Sequence, residues 1–353
     1  MNLAFRRIFD LFSTLFIAFC LVPIYWVKSK RLYIFYMVAT QFLLTIVVIY
    51  IAILNVATSK LHLSQSLSGI IYLVLSLFAN LHFTRNMFKY RKCLERLLKS
   101  FTTLQHSLRL FFIMVYCWIV CFYRSWYFYA FFTNHGLTFI TVMFANVSTQ
   151  RLEFIMVISC LVAFELKNQF VIFNRTLKKN KNVRSHSKMY KRLTEAVAHY
   201  NEIWGLPLIY GIFSSIGLFV YLISLIMFNT RLQHFSEFHQ PILQRMTYIF
   251  PIGVYITVLA SLGEQLCTET KKTIAICYNN ALDISDLYVI NLYRRKKQKE
   301  YLDFAKEVFE RNVKLRAAGY FSIDNSLVLF FTVTVCTNLV VVCQMVTNNN
   351  THN

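Results

Sequence analysis

Long runs without a charged side chain alternate with short polar, mostly basic segments along the chain. Residues 32–59, 61–84, 203–230 and 246–263 carry no charge, and none follows Asp324. A helix needs roughly 20 apolar residues to cross a hydrocarbon core. Residues 109–166 are too long for one crossing and too apolar for a loop, and Asn134-His135-Gly136 divides them. The pattern predicts seven spans, at about 33–55, 66–84, 110–132, 138–163, 205–228, 245–265 and 324–346. The runs are continuous rather than alternating, which selects helices over a β-barrel. The expected fold class is an all-α polytopic membrane protein with cytoplasmic helical extensions.

Charge decides the orientation. Lys and Arg number 37 against 16 Asp and Glu, a net charge of +21 on a chain that is 57% hydrophobic and only 15% charged. In a soluble protein such a balance suggests nucleic acid, but here position explains it and no nucleic-acid partner is expected. Five basic residues precede the first span, six lie in 85–108, nine in 164–203 and eleven in 266–323. The opposite loops hold only Lys60 and Arg231. So 31 of 37 fall on one side, which the positive-inside rule makes cytoplasmic. The N-terminus is then inside and the C-terminus outside, the reverse of a G-protein-coupled receptor.

The organisation follows. Residues 1–32 form a cytoplasmic N-terminus in which 11–27, apolar but only 17 residues long and holding Pro23, read as an interfacial or re-entrant helix. Residues 33–265 form a six-helix bundle, 266–323 a cytoplasmic helical segment, 324–346 the seventh helix and 347–353 an extracellular tail. The outer loops are too short for a folded ectodomain, so a ligand must be small and bind among the helices. The inner segments LTEAVAHYNEI and QKEYLDFAKEVFERNVKLR have helical composition and charge spacing, and are expected to extend past the membrane and pack together. Their basic residues also suit anionic inner-leaflet lipid. The nine cysteines show no CxxC and no outer-loop pair, so no disulfide framework is expected. Of the sequons at Asn146, Asn174 and Asn349, only Asn349 is placed for glycosylation.

No phosphate loop, HExxH or GxSxG motif occurs, so no enzyme activity, metal or cofactor is expected. Two regions carry candidate chemistry. Tyr123, Arg124, Trp126 and Tyr127 in span three and Asn146, Gln150 and Arg151 in span four suit a wet, aromatic-lined cavity opening outward, extended by Tyr248 and Tyr255 in span six. An interfacial aromatic belt with a structural ion pair explains the same residues. In the last span Thr334, Thr337, Val341, Gln344 and Met345 recur at helical spacing and form a mildly polar stripe with an apolar constriction. Such a stripe suits a pore wall built from several copies, or hydrogen-bonding glue between helices.

The last span also carries a resemblance. Thr337-Asn338, five hydrophobic residues, then Gln344-Met345 is similar to the closing signature of insect gustatory receptors, Thr-Tyr, five hydrophobics, Gln and often Phe. Asn338 and Met345 depart from it. Residues 319–327 (GYFSIDNSL) resemble the family's approach to that span, and His199-Tyr200 a recurring pair before span five. The resemblance implies a ligand-gated, non-selective cation channel in the plasma membrane of gustatory neurons, assembled as a homo- or heterotetramer and gated by a small-molecule tastant. It places Thr337, Val341, Gln344 and Met345 along the pore, with Gln344 and Met345 near the outer gate. It also implies that the cytoplasmic helices anchor the subunits together. An odorant receptor working with a co-receptor, or a G-protein-coupled receptor, are the alternatives.

Overall fold

The computed structural model describes residues 139–179, 182–229, 239–285, 292–311 and 313–351, with seven single helical positions between Phe42 and Tyr123. The expected helix at 11–27 and, single positions apart, spans one to three lie outside the described residues. The elements in order are α1 (Phe139–Lys179), α2 (Val183–Asn229), α3 (His239–Ser285), α4 (Leu292–Arg311), β1 (Arg316–Ala317), β2 (Phe321–Ser322) and α5 (Asn325–Thr351).

Hydropathy locates these helices but not their ends. α1, α2 and α3 hold 41, 47 and 47 residues and continue from apolar into charged sequence without a break. At 1.5 Å per residue each is roughly 60–70 Å long. Local signals end them: Lys178 and Lys179 occupy the last turn of α1, where cations meet the negative end of the helix dipole. The Asn182 side chain accepts the Ser185 N–H at 3.4 Å and so caps α2. Averaged hydropathy marks no helix among the described residues as long and apolar enough to cross a membrane. α5 nevertheless runs 27 residues without a charged side chain, about 40 Å.

Chain contacts divide the protein into two compact units. One comprises Met1–Val157, Leu206–Val254 and Phe330–Asn353; the other comprises Ile158–Gly205 and Tyr255–Leu329. In the first, Phe219 of α2 meets Phe331 of α5 edge-on at 5.9 Å.

The second unit is a four-helix packing followed by a hairpin. Cys160 donates to the Tyr255 carbonyl, and fourteen residues on, Asn174 donates to the Glu269 carbonyl at 2.9 Å. Partners that advance together mean that these parts of α1 and α3 run parallel. Arg184–Glu300, Ser187–Glu307 and Thr194–Arg311 advance together likewise, so α2 and α4 are parallel. Phe173 meets His186 while the earlier Phe170 meets Tyr190, so α1 and α2 are antiparallel. The centre is aromatic: Tyr190 lies edge-on to Phe170 at 6.0 Å and to Phe304 at 5.7 Å, all of them buried. Fully burying side chains of this size stabilises by about 1.5–3 kcal/mol each. The buried Cys277 thiol is pushed up to about 12 by burial, and burial raises the Tyr190 and Tyr200 phenols as well, so all three stay neutral.

One sequence expectation changes here. Residues 298–316 have helical composition, yet the helix stops at Arg311, and Arg316 already pairs with Ser322 across an antiparallel hairpin. Tertiary contacts, described next, hold this segment extended.

Candidate functional site

The polypeptide enters α5 through a tightly seated hairpin. Arg316 and Ala317 face Ser322 and Phe321, and Tyr320 N–H donates to the Ala317 carbonyl at 3.0 Å. The turn needs left-handed backbone at two successive residues, Ala318 (φ 49°) and Gly319 (φ 81°). Glycine adopts this freely, whereas alanine does so at a cost of about 1–2 kcal/mol, so contacts around Ala318 must offset strain. They come from α2. The Asn201 amide donates to the Lys314 carbonyl at 3.0 Å and accepts the Arg316 N–H at 2.8 Å, serving the strand as a neighbouring strand would. One turn further, Gly205 lies so close that an added Cβ would stand 2.5 Å from the Ala318 nitrogen. On α3, a Cβ added to Gly263 would collide with the Ile323 carbonyl oxygen.

Asp324 then starts α5. Its carboxylate accepts the Ser326 N–H at 2.9 Å and the hydroxyls of Ser322 and Ser326, a side-chain cap on helix donors that have no intrahelical partner.

Among the described side chains, α5 buries a narrow stripe: Leu327, Phe331 and Val335, at successive spacings of four. Thr337, Asn338, Val341 and Gln344 are exposed, and Met345 follows within the same helix. The polar side chains turn their donors inward. Thr334 donates to the Phe330 carbonyl at 2.7 Å, Thr337 to Val333 at 2.9 Å, and the Asn338 amide to Thr334 at 2.7 Å. With their donors engaged one turn back, the Thr334 and Thr337 hydroxyls offer acceptor lone pairs outward, as does the Asn338 carbonyl, while the Asn338 amide carries a second N–H. Acceptor oxygens on this face suit cations.

Asn349 belongs to α5, which continues to Thr351, beyond the expected span end at 346. Among the ligand candidates, Tyr123 is helical and exposed. Arg124, Trp126 and Tyr127 lie outside the described residues. Asn146 and Gln150 lie one turn apart on α1, and Arg151 follows Gln150 about 100° round the helix. Tyr248 and Tyr255 stand two turns apart on α3. Tyr255 belongs to the second unit and the others to the first.

No protein-family model matches the sequence, and no curated protein matches it either. Solved structures do match. The insect olfactory receptor OR5 from Machilis hrabei aligns over 96% of this chain and 98% of its own, with TM-score 0.66 and 13% identity. The same receptor in complex with eugenol aligns over 97% and 99%, with TM-score 0.64 and 11% identity. The fold is that of an insect olfactory receptor. At these identities the likeness is one of fold, covering nearly the whole length of both chains.

Asn201, Gly205 and Gly263 are not prominent in the sequence. The one available signal is Asn201 directly after His199-Tyr200. Tyr200 proves to be core, stacked on Trp204 at 5.2 Å. Asn174, marked only as an unused sequon, is a central buried link: its amide reaches both the backbone and the carboxylate of Glu269 and accepts from Thr273 at 2.6 Å.

Proposed function

We propose that this chain is a chemosensory receptor of the gustatory type, a subunit of a ligand-gated cation channel in the plasma membrane. Seven helices cross the bilayer with the N-terminus inside and the C-terminus outside. The last helices of four subunits, identical or mixed, line a central pore. The observation that carries this reading is α5: an uncharged helix at the end of a receptor fold, bearing the Thr337 to Gln344 signature and presenting hydrogen-bond acceptors on its exposed face. Val341 and Met345 supply an apolar ring that closes by dewetting, with Gln344 beside it. Opening is a population shift: a small amphipathic ligand, held by first-unit residues such as Tyr123 and Arg151, binds the open state more tightly.

The neighbouring structures favour a second reading of their own, because they are olfactory receptors and one holds eugenol. In that case the chain is an odorant receptor requiring a co-receptor. Current recording in a heterologous cell separates the two. The gustatory reading expects tastant-evoked cation current from this chain alone or with other gustatory subunits. Current that appears only with an odorant co-receptor selects the second reading, and no cation current in any combination overturns both.

A further inference from the structure

The segment before α5 is fixed to two other helices through its backbone. Val313, Leu315, Ala317 and Ile323 turn their side chains inward and are buried. Asn201 of α2 grips the first strand through Lys314 and Arg316. Gly205, one turn along α2, admits the Ala318 backbone. Gly263 of α3 admits the Ile323 carbonyl, whose carbon would lie 2.8 Å from an added Cβ. Two residues later α5 begins, its first turn fixed by Asp324. The two glycine contacts are backbone on backbone. A side-chain contact adapts by changing rotamer, whereas a glycine notch holds one position or is vacated.

From this we infer that Asn201, Gly205 and Gly263 are positioning residues for the gate. Together they form a cradle through which the spacing of α2 and α3 sets the orientation of α5. The inference rests on the channel reading above and adds where the signal enters the pore helix. A shift of α3 against α2 moves Ala318 and Ile323 apart, and the stiff hairpin passes that movement to α5 as a tilt. The cradle therefore contributes to the balance of closed and open states in every subunit.

The test uses full-length protein and two readouts. Gly263→Ala and Gly205→Ala fill the notches; Asn201→Asp keeps the acceptor for Arg316 and removes the donor to Lys314, leaving helix packing intact. Lys306→Gln, on the exposed side of α4, is the control. The first readout is spontaneous and eugenol-evoked cation current per channel at the surface. The second is the rate at which a charged methanethiosulfonate reagent modifies Cys336, exposed on α5, read by mass spectrometry. The cradle predicts a change of about fivefold or more in open fraction or in Cys336 rate, the lower range of coupling between sites. Unitary conductance should stay unchanged, and the control should behave as wild type. A purely structural role lowers the amount of surface protein and leaves both per-channel readouts alone, which overturns the inference. If the glycine variants fail to reach the surface, Asn201→Asp decides by the same criterion. If wild type passes no current alone, with other gustatory subunits or with an odorant co-receptor, the channel reading fails while the Cys336 rates still decide whether the cradle orients α5.

Discussion

Asn174 shows what a single residue can hold together. It is 5% exposed, and both amide atoms are engaged, joining α1 to α3 through Glu269 and Thr273. Burial pushes the Glu269 carboxyl up, but hydrogen bonds from Lys272 and Asn174 outweigh it and hold the group below its ordinary value of 4.5. A lowered folded value means that Glu269 adds stability above the ordinary carboxylate range, and that this is lost as pH falls through the lowered value. Asn174→Ala takes the shorter of two acceptors from the buried Thr273 hydroxyl, which keeps the Glu269 carbonyl at 3.1 Å, and leaves the Glu269 carboxylate short of a donor. We expect a loss of about 1–3 kcal/mol, with the acid limb of unfolding moved to higher pH. Thermal unfolding in detergent across a pH series measures both, and an unchanged acid limb would refute the role given to Asn174. The sequence does not single out such residues. Gly217 and Gly253 sit in the same helices as Gly205 and Gly263, yet a Cβ on either meets nothing within 4 Å. Which helical glycine is indispensable depends on backbone that is remote in sequence, and hydropathy carries no trace of it.

Among the elements, α5 was the most legible and the hairpin the least. The polar stripe of Thr334, Thr337, Val341 and Gln344 followed from spacing alone, because helical periodicity is local. That the Thr334 and Thr337 hydroxyls show acceptors rather than donors did not, since it depends on each hydroxyl donor reaching back one turn. This has a direct consequence. Thr337→Val keeps the shape of the side chain and removes the outward lone pairs together with the bond to Val333. Stability should change by no more than about 1 kcal/mol, the net worth of one hydrogen bond. Cation conductance per channel should fall, and single-channel recording at matched surface expression reads it. Undiminished conductance would mean that Thr337 faces a neighbouring helix instead of ions. The hairpin is illegible for the opposite reason: Val313 to Arg316 has helical composition, and the Asn201 bonds to Lys314 and Arg316 hold it extended.

Along α2 and into α5, charge and contacts draw the same line independently. The compact unit of Ile158–Gly205 and Tyr255–Leu329 is defined by which residues touch, without reference to charge. It contains both long basic segments, 164–203 and 266–323, hence twenty of the 37 Lys and Arg. The stretches that continue the same helices outside it, 206–229 and 330–351, carry no charge at all. Helices of roughly 60–70 Å exceed a hydrocarbon layer of ~30 Å about twofold; α2 divides into a charged and an uncharged half, whereas α1 keeps Arg151 and Glu153, and α3 Arg245, outside the charged unit. The parallel pairs α1 with α3 and α2 with α4 are what a chain reversing direction at every turn produces. Under the orientation proposed above, the basic segments lie inside and the C-terminus outside. An epitope fused after Asn353 should therefore be stained on intact cells, and one fused before Met1 only after permeabilisation. A C-terminal epitope hidden until permeabilisation would reverse the orientation. It would also place the Gln344 end of α5 inside and return the chain to the G-protein-coupled arrangement.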